Sequence, residues 1–259
     1  MLKVRIIPTL LWKNFGLVKG IGFDSWRRVG PVLPAIKVYN TRDVDELVLV
    51  DITASRDESE PDVDSVHDFA DECFVPFTVG GGITNIEQIQ HLLRAGADKI
   101  SINSAAYANP LFVEHAAKRF GSQCVVASID VRRLEDGSYR CFSHSGSATT
   151  GRRPEEWAKE LEDRGAGEIL ITSIDRDGTM QGYDLALIER IAKVVNLPVI
   201  ASGGAGNYEH LRQAIQEAGA SAVAAASIFH FTEQTPAEAK KVLAAAGIPV
   251  RQSYVGGKA

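Results

Sequence analysis

The sequence predicts a closed (β/α)8 barrel, and three observations carry that prediction. Eight short apolar runs recur along the chain: RIIPTL, ELVLVDIT, PFTVGG, KISINS, CVVASID, EILITSID, PVIASGG and SAVAAAS. Each is apolar nearly end to end, as parallel strands covered on both faces are. Amphipathic, helix-like stretches lie between them, and strands alternating with helices indicate an α/β fold. The chain also repeats itself at about half its length. Gly81-Gly82 in VGGGI matches Gly203-Gly204 in ASGGAG (203 − 81 = 122), and DELVLVDIT, with Glu46, matches GEILITSID, with Glu168 (168 − 46 = 122). RAGADKISINS from Arg94 matches EAGASAVAAAS from Glu217 (217 − 94 = 123). Two symmetric halves of four strands favour a closed barrel over the alternative, an open doubly wound sheet.

Taken in order, the first strand is RIIPTL, and a long connection follows it from about Leu11 to Gly30, carrying Lys13, Lys19, Asp24, Trp26, Arg27 and Arg28. The second strand leads into the loop TASRDESEPDVD, and the third runs into three successive glycines. NIEQIQHLLRAGA then places Ile86, Ile89, Leu92 and Leu93 on one helical face. After the fourth strand, NPLFVEHAAKRFG opens a helix behind Asn109, with Pro110 at its first turn. The fifth strand is followed by GSYRCFSHSGSATTG, which suits a small hairpin, and then by EEWAKELEDRGAG with Trp157 and Leu161 inward. Several helices end at glycine, a common C-terminal stop. The three long connections all lie at the C-terminal ends of strands, where barrel active sites are built. Residues 1–251 are expected to form one domain, and 252–259 a flexible tail.

Composition narrows the function classes. The chain has 259 residues and a net charge of 28 − 33 = −5, which argues against nucleic acid as the main partner. No apolar run approaches the ~20 residues of a membrane span, so no membrane partner is expected. Cys73, Cys124 and Cys141 form no CxxC and suit reduced thiols in a cytoplasmic protein. The histidines are scattered without ligand spacing, so neither a metal nor another cofactor is expected.

The strongest local signal is the pair of glycine loops. Gly80-Gly81-Gly82 follows the third strand and Gly203-Gly204 the seventh, and the fourth and eighth strands end in Asn103-Ser104 and Ala226-Ser227. Glycine lets backbone N–H groups approach an anion closely. Glycines also close tight βα turns. Two such loops in symmetric register indicate two phosphate sites and a phosphorylated small molecule. Asp51, Asp130 and Asp175 end the second, fifth and sixth strands. A carboxylate at a barrel rim serves as a general acid or base where burial raises its pKa, and otherwise caps loops. At the opposite ends, Arg5, Glu46, Lys99 and Glu168 open strands one, two, four and six. Turned inward they would form a neutral ring of ion pairs; turned outward they are ordinary surface charge.

These residues together resemble the cyclase subunit family of imidazole glycerol phosphate synthase over about residues 1–251. RIIP, LVKG, DELVLVDITAS, PFTVGGGI, ADKISINSAA, SGSATTG, GAGEILITSIDRDGT, GYD, LPVIASGGAG and SIFHF carry the likeness. The resemblance implies a (β/α)8 barrel that binds a bis-phosphate across its top, with ammonia arriving through the barrel from a glutaminase docked at its base. It implies phosphate roles for Gly82, Asn103, Asp177, Gly178, Gly204 and Ser227, beside Gly81, Gly203 and Ala226 from the loop reading. It implies a catalytic role for Asp130 assisted by Lys19, gate roles for Arg5, Glu46, Lys99 and Glu168, and a glutaminase-interface role for Asp98.

One departure stands out. The family's first strand ends in Cys-Leu-Asp-Val, with an essential aspartate. This chain reads Thr9-Leu10-Leu11-Trp12. Pairing RIIPTL with VVASID, the second ends in Asp130 where the first runs on to Leu11, so a two-fold site offers one carboxylate instead of two. Asp24 and Lys13 in the following connection are the nearest substitutes. The stretch FGLVKGIGFDSWRRVG looks like a paralogous branch found with sugar-modifying amidotransferases. That branch implies a barrel that passes ammonia on for acetamidino-sugar synthesis in surface polysaccharide; the alternative is a genuine histidine-pathway cyclase. The sister isomerase of that pathway also uses paired aspartates, so Leu11 counts against it.

Overall fold

A computed structural model describes residues 3–13 and 16–251. The expected tail, 252–259, lies outside the described residues. Eight parallel strands close on themselves in the order β1 (Arg5–Lys13), β4 (Leu47–Asp51), β5 (Phe77–Gly80), β6 (Lys99–Ile102), β7 (Val125–Arg133), β10 (Glu168–Ser173), β11 (Val199–Ser202) and β12 (Ala222–Ala225). Closure is made by β12 pairing β1 in parallel, Arg5 opposite Ala222, which rules out the open sheet. These are the eight runs read from the sequence.

Helices cover the outside: α1 (Val32–Asn40), α2 (Val63–Ala70), α3 (Ile86–Arg94), α4 (Ser104–Ala108), α5 (Leu111–Phe120), α6 (Pro154–Asp163), α7 (Leu185–Val194), α8 (Tyr208–Gln216), α9 (Ser227–Phe231) and α10 (Pro236–Ala245). In α3, Ile89 and Leu92 are fully buried, and Asn85 caps the first turn by accepting from the Gln88 N–H at 2.9 Å. Pro110 stands just ahead of α5 rather than in its first turn, its backbone already helical. The main apolar core lies between helices and barrel. A second, smaller cluster fills the barrel itself: Ile7, Val48, Val126, Leu170, Ile200, Ala222 and Ala224. No helix among the described residues is long and apolar enough to cross a membrane.

Both halves carry an added ribbon above the barrel. The described residues between Leu11 and Gly30, expected as a long connection, are instead β structure around one tight turn. β1 runs on to Lys13 and pairs antiparallel with β2 (Gly16–Ile21), which pairs with β3 (Asp24–Gly30). Gly22 and Phe23, at φ 61° and 65°, form the two-residue turn, the left-handed pair that matches strand twist. The expected hairpin after the fifth strand is present: β7 pairs antiparallel with β8 (Tyr139–Ser143), and β8 with β9 (Ala148–Thr149).

Candidate functional site

The registers between neighbouring strands settle which positions correspond in the two halves of the barrel. Leu11 lies opposite Val50, and Asp130 opposite Thr172. Val50 and Thr172 are 172 − 50 = 122 residues apart, the repeat length, so Leu11 is the counterpart of Asp130 on the other wall. Both line one cavity of about 570 Å3 at the C-terminal ends of the strands.

The glycine loops sit on opposite sides of this cavity. Gly81, Gly82, Gly203 and Gly204 all have positive φ, at 105°, 69°, 88° and 110°. A Cβ on Gly81 would lie 2.3 Å from the Asp51 carbonyl oxygen, and one on Gly203 would lie 2.6 Å from that of Ser173. The chain therefore needs glycine here for close approach as well as for conformation. Asn103, Ala226 and Ser227 line the cavity beside them, ahead of or opening α4 and α9. Asp177 and Gly178 line it from the loop after β10, and Lys19 from β2.

The charged groups do not share one fate. Asp51 turns to its own loop, its Oδ1 accepting from the Thr53 N–H, the Thr53 hydroxyl and the Ala54 N–H at 2.8, 2.8 and 3.1 Å. Asp175 is exposed and accepts from the Arg133 N–H at 2.8 Å. Both are loop braces. Asp130 is buried and accepts one bond, from Asn103 Nδ2 at 2.6 Å. Burial and the neighbouring Asp177 carboxylate push its carboxyl up to about 7, against that hydrogen bond. Burial likewise raises Asp177, opposed by the Lys19 ammonium. Lys19 itself is 4% exposed, and burial pulls it down to about 8, opposed by Asp177. A neutral-to-ionised carboxyl and a neutral-to-ionised amine in one cavity near pH 7 can exchange protons with a bound molecule.

Lys19 reaches this position because the β2–β3 ribbon docks on the loop after β10. The Gly22 N–H donates to the Asp177 carbonyl at 3.0 Å, and a Cβ on Gly178 would stand 2.0 Å from the Gly20 carbonyl oxygen. Of the two substitutes considered for the missing acid, Asp24 is exposed, and neither it nor Lys13 lines the cavity. Sequence reasoning also missed Ser101, Ser128, Thr172 and Ser202, which line the cavity. The signal was present: each interrupts an otherwise apolar strand.

At the other end of the barrel, the four charges do turn inward. Arg5 donates from Nη1 to Glu46 at 2.7 Å and from Nη2 to Glu168 at 3.0 Å. Lys99 bridges the same two glutamates at 2.9 and 3.0 Å, and the Thr78 hydroxyl donates to Glu46 at 2.7 Å. Two cations and two anions thus close a neutral ring across the barrel axis. Asp98, beside it, is exposed and accepts from the Phe77 N–H at 2.8 Å. Among the described residues no group of His, Cys, Asp and Glu could hold a metal ion.

A family model described as Histidine biosynthesis protein matches residues 5–235. The chain belongs to that family. The match runs from the first residue of β1 to the residue before α10, so it takes in all eight barrel strands, the base ring and every cavity residue named above.

This member of the Histidine biosynthesis protein family therefore keeps a buried acid at β7 at some cost to folding. Raised from 3.8 to about 7, the Asp130 carboxyl holds its proton in the native state after the unfolded chain has released it. Stability on that account is full below the unfolded pKa, falls as pH rises through the interval, and is lost above about 7. Asp130→Asn removes the penalty and keeps the shape. The variant should be more stable than wild type at pH 8, by on the order of a few kcal/mol, and show little advantage at pH 4. Urea unfolding at the two pH values checks this; an equal advantage at both would mean that Asp130 is not held protonated.

Proposed function

We propose that this barrel is the acceptor half of a glutamine-dependent amidotransferase. It receives ammonia at its base from a glutaminase subunit and passes it on, with a sugar amidotransferase, for acetamidino-sugar synthesis in surface polysaccharide. The top cavity holds a phosphorylated small molecule between the glycine loops. What carries the reading is the pairing of an intact ring at the base with Leu11 facing Asp130 at the top. Ring closure of a bis-phosphate needs proton transfer on both sides of the substrate, and a hydrocarbon side chain transfers none. Ammonia is small and neutral, so a conduit needs only an openable constriction. Arg5, Glu46, Lys99 and Glu168 supply one whose contacts are ion pairs rather than packed core.

A second reading, a working cyclase of histidine biosynthesis, is favoured by Asp177, a carboxyl in the same cavity that raises Asp130 electrostatically. One assay separates the two. Purified protein is given the bis-phosphate substrate of the cyclase with ammonium salts, which bypass any partner. The first reading expects no turnover and no rescue of a strain lacking the histidine-pathway cyclase. Robust turnover that is lost in Asp177→Asn would establish the second.

A further inference from the structure

Lys19 is buried and lines the cavity, and its ammonium has no hydrogen-bond or ion-pair partner among the described residues. A buried ammonium without a direct partner is costly, and such lysines shed their proton and become nucleophiles. We infer that Lys19 is a carbonyl-trapping amine, forming a Schiff base with an aldehyde or ketone of a phosphorylated sugar held in this cavity. The choice of a phosphorylated substrate rests on the phosphate reading of the glycine loops; the amine chemistry does not.

Burial, not a neighbouring cation, is what frees the Lys19 amine. Asp177, from the loop after β10, opposes burial by favouring the ammonium, while His230 of α9, neutral because burial holds it down to about 3, adds no charge. Arg27, its cross-strand neighbour on β3, turns away, its guanidinium 4.1 Å from the centre of the Phe231 ring. Asp130 faces the same space from β7. With its pKa lowered from 10.5 to about 8, Lys19 offers about 300-fold more free amine at pH 7 than an ordinary lysine.

The chemistry balances without an oxidant or reductant. The Lys19 nitrogen adds to the carbonyl carbon, the resulting hydroxyl takes a proton from the Asp130 carboxyl, and water leaves to give an iminium. Ammonia arriving from the base then adds to the same carbon. Lys19 departs as the leaving amine, the protonated imine returns its proton to the Asp130 carboxylate, and a neutral primary imine of the sugar remains. An iminium is more electrophilic than its parent carbonyl, so this route activates the carbon by covalent bonding where the wall at Leu11 has no acid to offer.

The test is borohydride trapping on the full chain with two probes, glyceraldehyde 3-phosphate and unphosphorylated glyceraldehyde, the adduct being located by peptide mass spectrometry. The expected result is reduced adduct at Lys19 at pH 7, formed at least about tenfold faster than at any other lysine and absent in Lys19→Arg. Preference for the phosphorylated probe supports both the amine role and the phosphate reading. Equal labelling of Lys19 by both probes supports the amine role and removes the phosphate reading. Labelling spread over the lysines with no excess at Lys19 overturns the inference. Because Lys19→Arg also alters the ribbon, Asp177→Asn serves as a second variant. Losing that anion should shift the pH midpoint of Lys19 labelling downward, and an unchanged midpoint would count against a cavity-tuned amine.

Discussion

Replacing Glu46 by alanine is expected to cost about 3–5 kcal/mol of folding stability, the range found when one partner of a buried ion pair is removed. Glu46 is 1% exposed and accepts from Arg5, Lys99 and Thr78. Without it the base holds two cations and one anion, and the Thr78 hydroxyl loses its acceptor. Glu168, at 14% side-chain exposure, meets water that screens the same loss, so Glu168→Ala should cost clearly less. The double change Glu46→Leu with Lys99→Met removes one charge of each sign and leaves Arg5 on Glu168. It should recover most of the stability, since a packed hydrocarbon pair commonly matches a buried ion pair. Urea unfolding of the three variants decides the matter. A cost below about 1 kcal/mol for Glu46→Ala would show that the ring contributes no more than a surface pair.

That ring also shows what the sequence could and could not disclose. Four charges at strand starts, two of them repeat mates, raised the prospect of an inward ring. Strand phase decides inward from outward, and it emerged only with the register. The eight parallel strands were legible because burial on both faces makes them continuously apolar. The β2–β3 ribbon was not, because GLVKGI is short and broken by glycines although its first four residues are buried, and DSWRRVG is mostly exposed, so its charged residues resemble those of a loop. Among carboxylates at strand ends, composition cannot separate Asp130 from Asp51. What separates them is that Asp51 finds three donors in its own loop, while Asp130 finds one amide and a second carboxyl. The nearness of Lys19 to Asp177 depends on a glycine at 178 that lets the ribbon settle against the loop, a contact between segments far apart in sequence.

Leu11→Asp carries the largest expected effect on activity. The register places the new carboxylate opposite Asp130 on the facing wall of the cavity, the position that a two-fold site calls for. General acid–base catalysis by one group is worth a factor of about 10² to 10⁴, so turnover of the bis-phosphate with ammonium salts should rise from background by that order. The same substitution brings a third acid into a space already holding Asp130 and Asp177 with one lysine. Like charge disfavours ionisation, so Asp130 should titrate above its present value of about 7, and the pH optimum of the gained activity should lie on the alkaline side of it. Folding should suffer more at pH 8 than at pH 5, because the variant must then hold three raised carboxyls ionised where wild type holds two. If a folded Leu11→Asp protein turned over no more of the bis-phosphate than wild type, position 11 would not be what limits cyclisation, and the connection after β1, where the sequence departs from the cyclase pattern over Phe15–Gly30, would be the next place to look.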